Sequence, residues 1–559
     1  MSMPPECVAG NDALTRGAWF EARESFEKVL RDREIPEALE GLGLAAWWLD
    51  LADTVFDARE RAYGLYVARD DHPAAARVAV WLAWDSWAFR GENAVSNGWL
   101  QRARRLLEGH PPCSERAWLE LRAGSLCLVE GGDCARALAL AAEGIEIARK
   151  AGDINFEILG RAVLGLALVT SGAVAEGMQS LDEASAAVMA GEVTDLVAIG
   201  LSFCYMIGAC EQVRDYARAT QWCARLKVFS SRWGLRPLFA VCRTQYASIC
   251  IWRGQWSEAD RELRAASIEL AASRPAMTGD ALVRLAELRR RQGRLDEANS
   301  LYDQVHDRGS GALGRGELAL DRGDPACAAE LAARYLRQAP VQNCTDRVPG
   351  LELLVRAFVG LGDLEGARSA LAELSGIAAQ LGTDPMRAAA AFATGCLTLA
   401  DQRPDPARRA FEDAIDLYLQ SGAPFEVARS RLGLARALGE LGRFPAAIEE
   451  SERAIALFSE LEASLEVTRA RGVQQALVFA SEIDRDQPPS SSPGTCILSR
   501  REIEVLRLVA QGFNNEDIAG RLFLSGHTIH RHVANILGKL QVSTRAAAVA
   551  RASRLGVLN

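Results

Sequence analysis

From residue 10 to residue 484, apolar side chains recur every three or four positions, the spacing of helices with one buried face. Ala, Leu, Glu and Arg dominate these stretches, which favours helix. The helices come in a repeated phrase. Gly442-Arg-Phe-Pro-Ala-Ala447 opens an amphipathic run to Phe458, and Gly362-Asp-Leu-Glu-Gly-Ala367, Gly293-Arg-Leu-Asp-Glu-Ala298 and Gly254-Gln-Trp-Ser-Glu-Ala259 repeat it upstream. Gly132-Asp-Cys-Ala-Arg-Ala137 and Gly17-Ala-Trp-Phe-Glu-Ala22 continue the series. Aligned on the small residue that closes each phrase, the copies fall at 22, 58, 103, 137, 177, 219, 259, 298, 328, 367, 407 and 447. Eleven intervals over 425 residues give just under 39 per repeat, with 58, 103 and 177 the poorest matches. Glycine would end one helix in a left-handed cap, and alanine would let the next helix approach closely. One helix pair cannot bury both of its faces but a stack can, so the pattern predicts eleven or twelve antiparallel pairs.

The rhythm breaks at Arg485-Asp-Gln-Pro-Pro-Ser-Ser-Ser-Pro-Gly-Thr-Cys496, a Pro/Ser-rich linker. Beyond it, caps place four short helices. Ser499 with Glu502 makes a capping box for the first, which runs to Val509 or Gln511 before Gly512. Asn514 or Asn515 caps the second, Glu516 to Leu522. Ser525 caps the third, to about Leu540, and Ser543 caps the fourth, to Leu555. The short second-to-third connection is that of a helix-turn-helix. On the third helix, Ile529, Val533, Ile536 and Leu540 share one face, while Arg531 and Ala534 lie opposite and His530 and Asn535 stand toward the rims.

Composition narrows the classes. With 49% apolar and 25% charged residues in 559, the chain is expected to be folded and multidomain or elongated. Its net charge of -9 is unevenly spread: residues 497–559 hold nine basic and four acidic side chains, so attraction to nucleic acid resides in the tail. Thirteen cysteines without a C-x-x-C pair read as small buried hydrophobes. The first ten residues carry no secretory signal, and no uncharged apolar stretch is read as a bilayer span, so a cytoplasmic protein without membrane partners is expected. Only four lysines occur, Lys28, Lys150, Lys227 and Lys539, and none completes a P-loop; metalloprotease and nucleophile-elbow motifs are missing too. No enzyme, cofactor or metal site is expected. Among the histidines of the tail, only His527 and His530 share a face, and no Cys or acid completes a ligand set.

The repeat region resembles the tetratricopeptide class, in the longer-period form found as sensor arrays in some large bacterial transcription activators. The resemblance implies a superhelix whose concave face could take a protein partner or a small effector. All twelve tryptophans lie between Trp19 and Trp256. The stripe Trp81, Trp84, Trp87 follows helical spacing; it reads either as packing between repeats or as the wall of a binding groove. Gly309-Ser-Gly311-Ala-Leu-Gly314 matches a dinucleotide string in the wrong context, between helix pairs, and reads as a tightened loop or weakened helix.

The stretches Leu498-Ser-Arg-Arg-Glu502, Gly512-Phe-Asn-Asn515-Glu-Asp-Ile518 and Ser525-Gly-His-Thr528-Ile-His-Arg-His532-Val-Ala-Asn535-Ile-Leu-Gly-Lys539 resemble the LuxR-type DNA-binding domain over residues 497 to 559. That resemblance implies a third helix that reads DNA and a fourth that can form a dimer contact. Its groove-facing positions fall on His530, Arg531 and Ala534, its phosphate-side hydroxyl on Thr528, and its basic helix-end residue on Lys539. Two departures stand out: His530 replaces the family's common lysine, and Glu516-Asp517 replaces a Lys-Glu pair. The expected architecture is all-α, a superhelical tetratricopeptide-like solenoid (10–484), a linker (485–496) and a four-helix helix-turn-helix domain (497–559). The expected function is sequence-specific transcription regulation, with double-stranded DNA bound by a homodimer through Thr528, His530, Arg531, Ala534, Asn535 and Lys539. The alternative is a non-enzymatic scaffold whose tail docks or dimerises without specific DNA binding.

Overall fold

A computed structural model describes residues 4–129, 133–233, 236–305, 309–486, 498–522, 526–542, 544–555 and 558, with side chains described outside 226–242, 309–310, 484–486, 500 and 526–528. Among the described residues there is no strand, and helices follow one another throughout.

The phrase at Gly362 shows how the sequence builds one turn of the array. Helix Cys344–Leu361 ends where Gly362 adopts φ 76°. The Gly362 N–H donates to the Val359 carbonyl at 3.2 Å, and the Asp363 N–H reaches the Phe358 carbonyl at 3.0 Å. These two bonds satisfy carbonyls that the helix end leaves open. The Asp363 carboxylate then accepts from the Gly366 N–H at 2.9 Å and caps helix Leu364–Leu381. Five residues past the left-handed turn, Ala367 is completely buried.

The same offset recurs along the chain. Gly17, Gly254, Gly293, Gly323 and Gly442 have positive φ, and Ala22, Ala259, Ala298, Ala328 and Ala447 are buried five residues later. Arg214 and Gln402 adopt this conformation without being glycine, ahead of buried Ala219 and Ala407. Gly177, a poor match by sequence, fits the geometry fully behind Gly172. A Cβ on Gly177 would lie 2.6 Å from the Gly165 carbonyl oxygen and 2.8 Å from the Val169 nitrogen, so helices Ile154–Ser171 and Val174–Ala190 meet almost backbone to backbone.

Two repeat positions shift. The left-handed residues there are Asp50 and Gly91, which puts the buried anchors at Val55 and Ser96 instead of 58 and 103. Ala58 and Ala103 are also buried, because three and seven residues further on is the same helix face. Residues 130–132 of the Gly132 phrase lie outside the described residues, but Asp133 caps helix Cys134–Ala151 and Ala137 is buried. Twelve helix pairs result among the described residues, from Pro5–Thr15 with Trp19–Asp32 to Pro424–Glu440 with Phe444–Glu460, followed by the long helix Ser464–Asp486. The Gly309–Gly314 string opens helix Gly309–Asp321 and forms no loop; a Cβ on Gly314 would meet the Tyr302 ring at 2.4 Å, so its glycine serves close packing.

The chain forms two compact units, Met1–Met386 and Arg387–Asn559. The first coils back on itself. Arg274 pairs with Asp50 at 3.0 Å, Arg214 with Glu352 at 2.9 Å, and Gln380 donates to the Ser171 carbonyl at 3.3 Å. Two of its helices, Ile154–Ser171 and Leu196–Val213, are long and apolar enough to cross a membrane, although the first carries Glu157 and Arg161 and the second Glu211. Burial of 56% and 72% of those stretches within the array accounts for their composition. The second unit holds the last repeats and the small four-helix domain; residues 487–497, nearly all of the expected linker, lie outside the described residues.

Candidate nucleic-acid interface

The small domain begins at Ser499. Its hydroxyl accepts from the Glu502 N–H at 3.2 Å, and the Glu502 carboxylate accepts from the Ser499 N–H at 2.7 Å, the reciprocal pair expected for helix Arg500–Ala510. Asn514 caps helix Asn515–Leu522 by accepting from the Asp517 N–H at 2.9 Å. From the first helix, Arg501 donates to the Leu522 carbonyl at 2.9 Å and so closes the end of the second. The third helix is Gly526–Lys539, separated from the second by three residues. The fourth, Arg545–Arg554, is capped by Thr544, which accepts from the Ala547 N–H at 3.2 Å, one residue after the expected Ser543. Either hydroxyl precedes the same alanine run, and sequence alone does not choose between them.

Helix Gly526–Lys539 turns one face into the domain. Ile529, Val533, Ile536 and Leu540 are buried with Val505, Leu506, Ile518, Ala548 and Ala552 in a single apolar cluster. His530, Ala534 and Asn535 are exposed on the other side. The Thr528 and His527 side chains lie outside the described residues, although the helix includes both positions.

Two of the cationic positions already have partners. Lys539 Nζ lies 2.6 Å from Glu502 Oε2, so the helix-end lysine neutralises the capping-box carboxylate. Burial alone would raise the Glu502 pKa; the Lys539 ammonium and the Ser499 N–H outweigh it and hold the carboxyl below its ordinary value. Arg531 turns to helix Pro404–Gln420 of the repeats, where its Nη2 sits 2.7 Å from Glu412 Oε1. The contact is an ion pair in distance, without an N–H aligned on the oxygen. Glu412 Oε2 simultaneously accepts from Arg408 at 2.7 Å. Next to it, burial, helped by the like charges of Glu412 and Asp416, pushes the Asp413 carboxyl up to about 6. His532 is lowered, mainly by burial. Sequence reasoning missed Arg408, Glu412 and Asp413. They belong to an ordinary repeat phrase, and nothing in it announces a partner more than a hundred residues away.

Residues 496–552 match the family described as bacterial regulatory proteins, luxR family. The oxygen regulatory protein NreC of Staphylococcus epidermidis is 40% identical over 67 residues, 12% of this chain and 31% of that protein. The transcriptional regulatory protein LiaR of Bacillus subtilis is 42% identical over 62 residues, 11% of this chain and 29% of that protein. The HTH-type transcriptional regulator MalT of Vibrio parahaemolyticus is 28% identical over 213 residues, 36% of this chain and 22% of that protein, a match too long for the small domain alone. The chain thus spans less than a third of the length of each of these relatives. The solved Cut9–Hcn1 hetero-tetramer of the APC/C aligns over 84% of this chain and 96% of that one, at 16% identity and a TM-score of 0.34 too low to bear on the fold. The C-terminal segment is a LuxR-family helix-turn-helix domain, carried on an array of tetratricopeptide-like helix pairs.

Proposed function

We propose that the protein is a non-enzymatic, cytoplasmic, sequence-specific regulator of transcription. Double-stranded DNA is its partner, bound as a homodimer, and the repeat array (10–484) senses an effector or recruits a protein. The linker is 485–496 and the DNA-binding domain 497–559. The observation that carries this reading is the two-faced third helix: Ile529, Val533, Ile536 and Leu540 anchor it in the small core, leaving His530, Ala534 and Asn535 exposed. Such a face suits a major groove about 12 Å wide. Arg531, released from Glu412, is the residue for bidentate readout of guanine. Thr528, Asn535 and Lys539 serve the rims and the phosphates. A single domain of this size covers roughly 600–1,000 Å² of DNA-facing surface, which favours two copies on paired half-sites.

The Arg531–Glu412 contact also favours the second reading, a scaffold whose tail docks on the repeats. Selection of the full chain against random duplexes separates the two. An enriched motif supports the regulator, and recovery of no sequence above background supports the scaffold.

A further inference from the structure

Inside the first unit, the coiled array forms a partly open cavity of about 590 Å³, within the size range of small-molecule sites. Trp47, Trp81, Trp84, Trp87, Trp118 and Trp252 line it, so the tryptophan stripe of the sequence belongs to a wall as well as to packing. The indoles brace one another: Trp47 and Trp81 lie 5.9 Å apart, Trp81 and Trp118 5.5 Å, and Trp84 and Trp87 4.8 Å. Rings held this way present flat apolar faces at little entropic cost.

Arg122 is the polar centre of this wall. It is 1% exposed, and its guanidinium stands 3.5 Å over the Trp84 ring. Nη1 donates to the Tyr205 hydroxyl at 3.3 Å, but Nε and Nη2 have no hydrogen-bond partner. These two atoms form one side of the guanidinium, the fork that matches both oxygens of a carboxylate. The indole nitrogens of Trp47 and Trp118 are likewise buried without an acceptor. Four donor atoms on lining residues thus await an acceptor, where buried donors are ordinarily satisfied.

The other cations of the wall are already paired. Arg214 is held by Glu352, Arg274 by Asp50 and Arg284 by Glu211. The nearby carboxylate of Asp85 is fully buried; Arg59 holds its Oδ2, while Oδ1 has no hydrogen-bond partner. Arg122 therefore keeps a desolvated positive charge in the cavity wall, offset in part by the field of Asp85, an arrangement that an incoming anion would stabilise.

We propose that this cavity binds a small planar aromatic anion, its carboxylate on the Nε–Nη2 side of Arg122 and its ring against the tryptophans. The proposal gives a chemical class to the effector of the regulator reading and rests on that reading only for the ligand's role in transcription. The probe is 2-naphthoate, titrated into the full-length protein without DNA and followed by calorimetry and tryptophan fluorescence. Its neutral isostere 2-naphthamide is the comparison. Saturable naphthoate binding is expected, at least tenfold tighter than the amide. Arg122→Met should weaken it at least tenfold and Arg122→Lys less, with unchanged circular dichroism. If Arg122→Met does not fold, the acid–amide comparison on the native chain decides. Equal affinity for acid and amide, native-like binding by folded Arg122→Met, or no saturable naphthoate binding would overturn the proposal. Duplex selection with the same native chain reports on the regulator reading separately, so either can fail alone.

Discussion

Replacing Glu412 by Gln tests whether the repeat helix competes with DNA for Arg531. The substitution keeps the size of the side chain, removes the charge facing Arg531, and touches nothing on the exposed arc of His530, Ala534 and Asn535. Arg408 would not be stranded, because Asp405 also holds it at 3.0 Å. A charge-assisted hydrogen bond contributes about 1.5–3 kcal/mol. Here the Arg531 N–H is not aligned on the oxygen and the side chain keeps 24% of its exposure, so a figure just below that range, about 1.4 kcal/mol, is the better one. That is about tenfold in the docking equilibrium, and it appears in full as tighter DNA binding when the docked form predominates. The assay is fluorescence anisotropy at one fixed salt concentration, with a labelled duplex from the random-sequence selection, comparing native protein with Glu412→Gln. Unchanged or weaker binding by a folded Glu412→Gln protein would refute the competition.

Arg531→Ala should relax preference at one base pair, a loss of about 1–3 kcal/mol of discrimination measured on single-substitution duplexes; a uniform loss on all sequences would assign Arg531 to phosphate. Asp413, raised to about 6, holds its proton in the folded protein at pH values where the unfolded chain has lost it, so its contribution to stability falls as pH rises from about 4 to about 6 and is flat above. Asp413→Asn should therefore stabilise by up to about 2–3 kcal/mol at pH 7.5 and by nothing near pH 3.5, read from thermal melts; a gain at both pH values would contradict this. Gly177→Ala should cost about 1–3 kcal/mol, because its Cβ meets backbone atoms that cannot move aside. Gly376→Ala, with nothing within 4 Å, should instead gain about 0.5–1 kcal/mol in denaturant titrations; effects of the same sign would count against the close approach.

The repeats were legible where glycine marked the turn. Gly362 with Ala367, and Gly442 with Ala447, carry the cap and the close contact in a single phrase. The register slipped at 58 and 103 because Asp50 supplies one left-handed turn without glycine, and because alanines one and two turns further along the helix are buried as well. In the small domain, the capping box and the Ile529–Leu540 seam follow from local spacing, and the structure has both. The partners of Lys539 and Arg531 do not. Glu502 is 37 residues from Lys539, Glu412 is further still from Arg531, and a lone charge says nothing of which opposite charge it will meet. The same holds for the cavity: the tryptophan spacing is visible in the sequence, but the walls are completed by residues of distant repeats, from Trp47 to Met386.

Those contacts change how the array should come apart. An open stack of repeats touches only its neighbours and can fray from either end, one unit at a time. Here Arg274 reaches Asp50 and Arg214 reaches Glu352, so strands of the coil more than a hundred residues apart are riveted together. Melting of the first unit should therefore approach a single cooperative event, and trimming its later repeats would loosen the earlier ones they clasp.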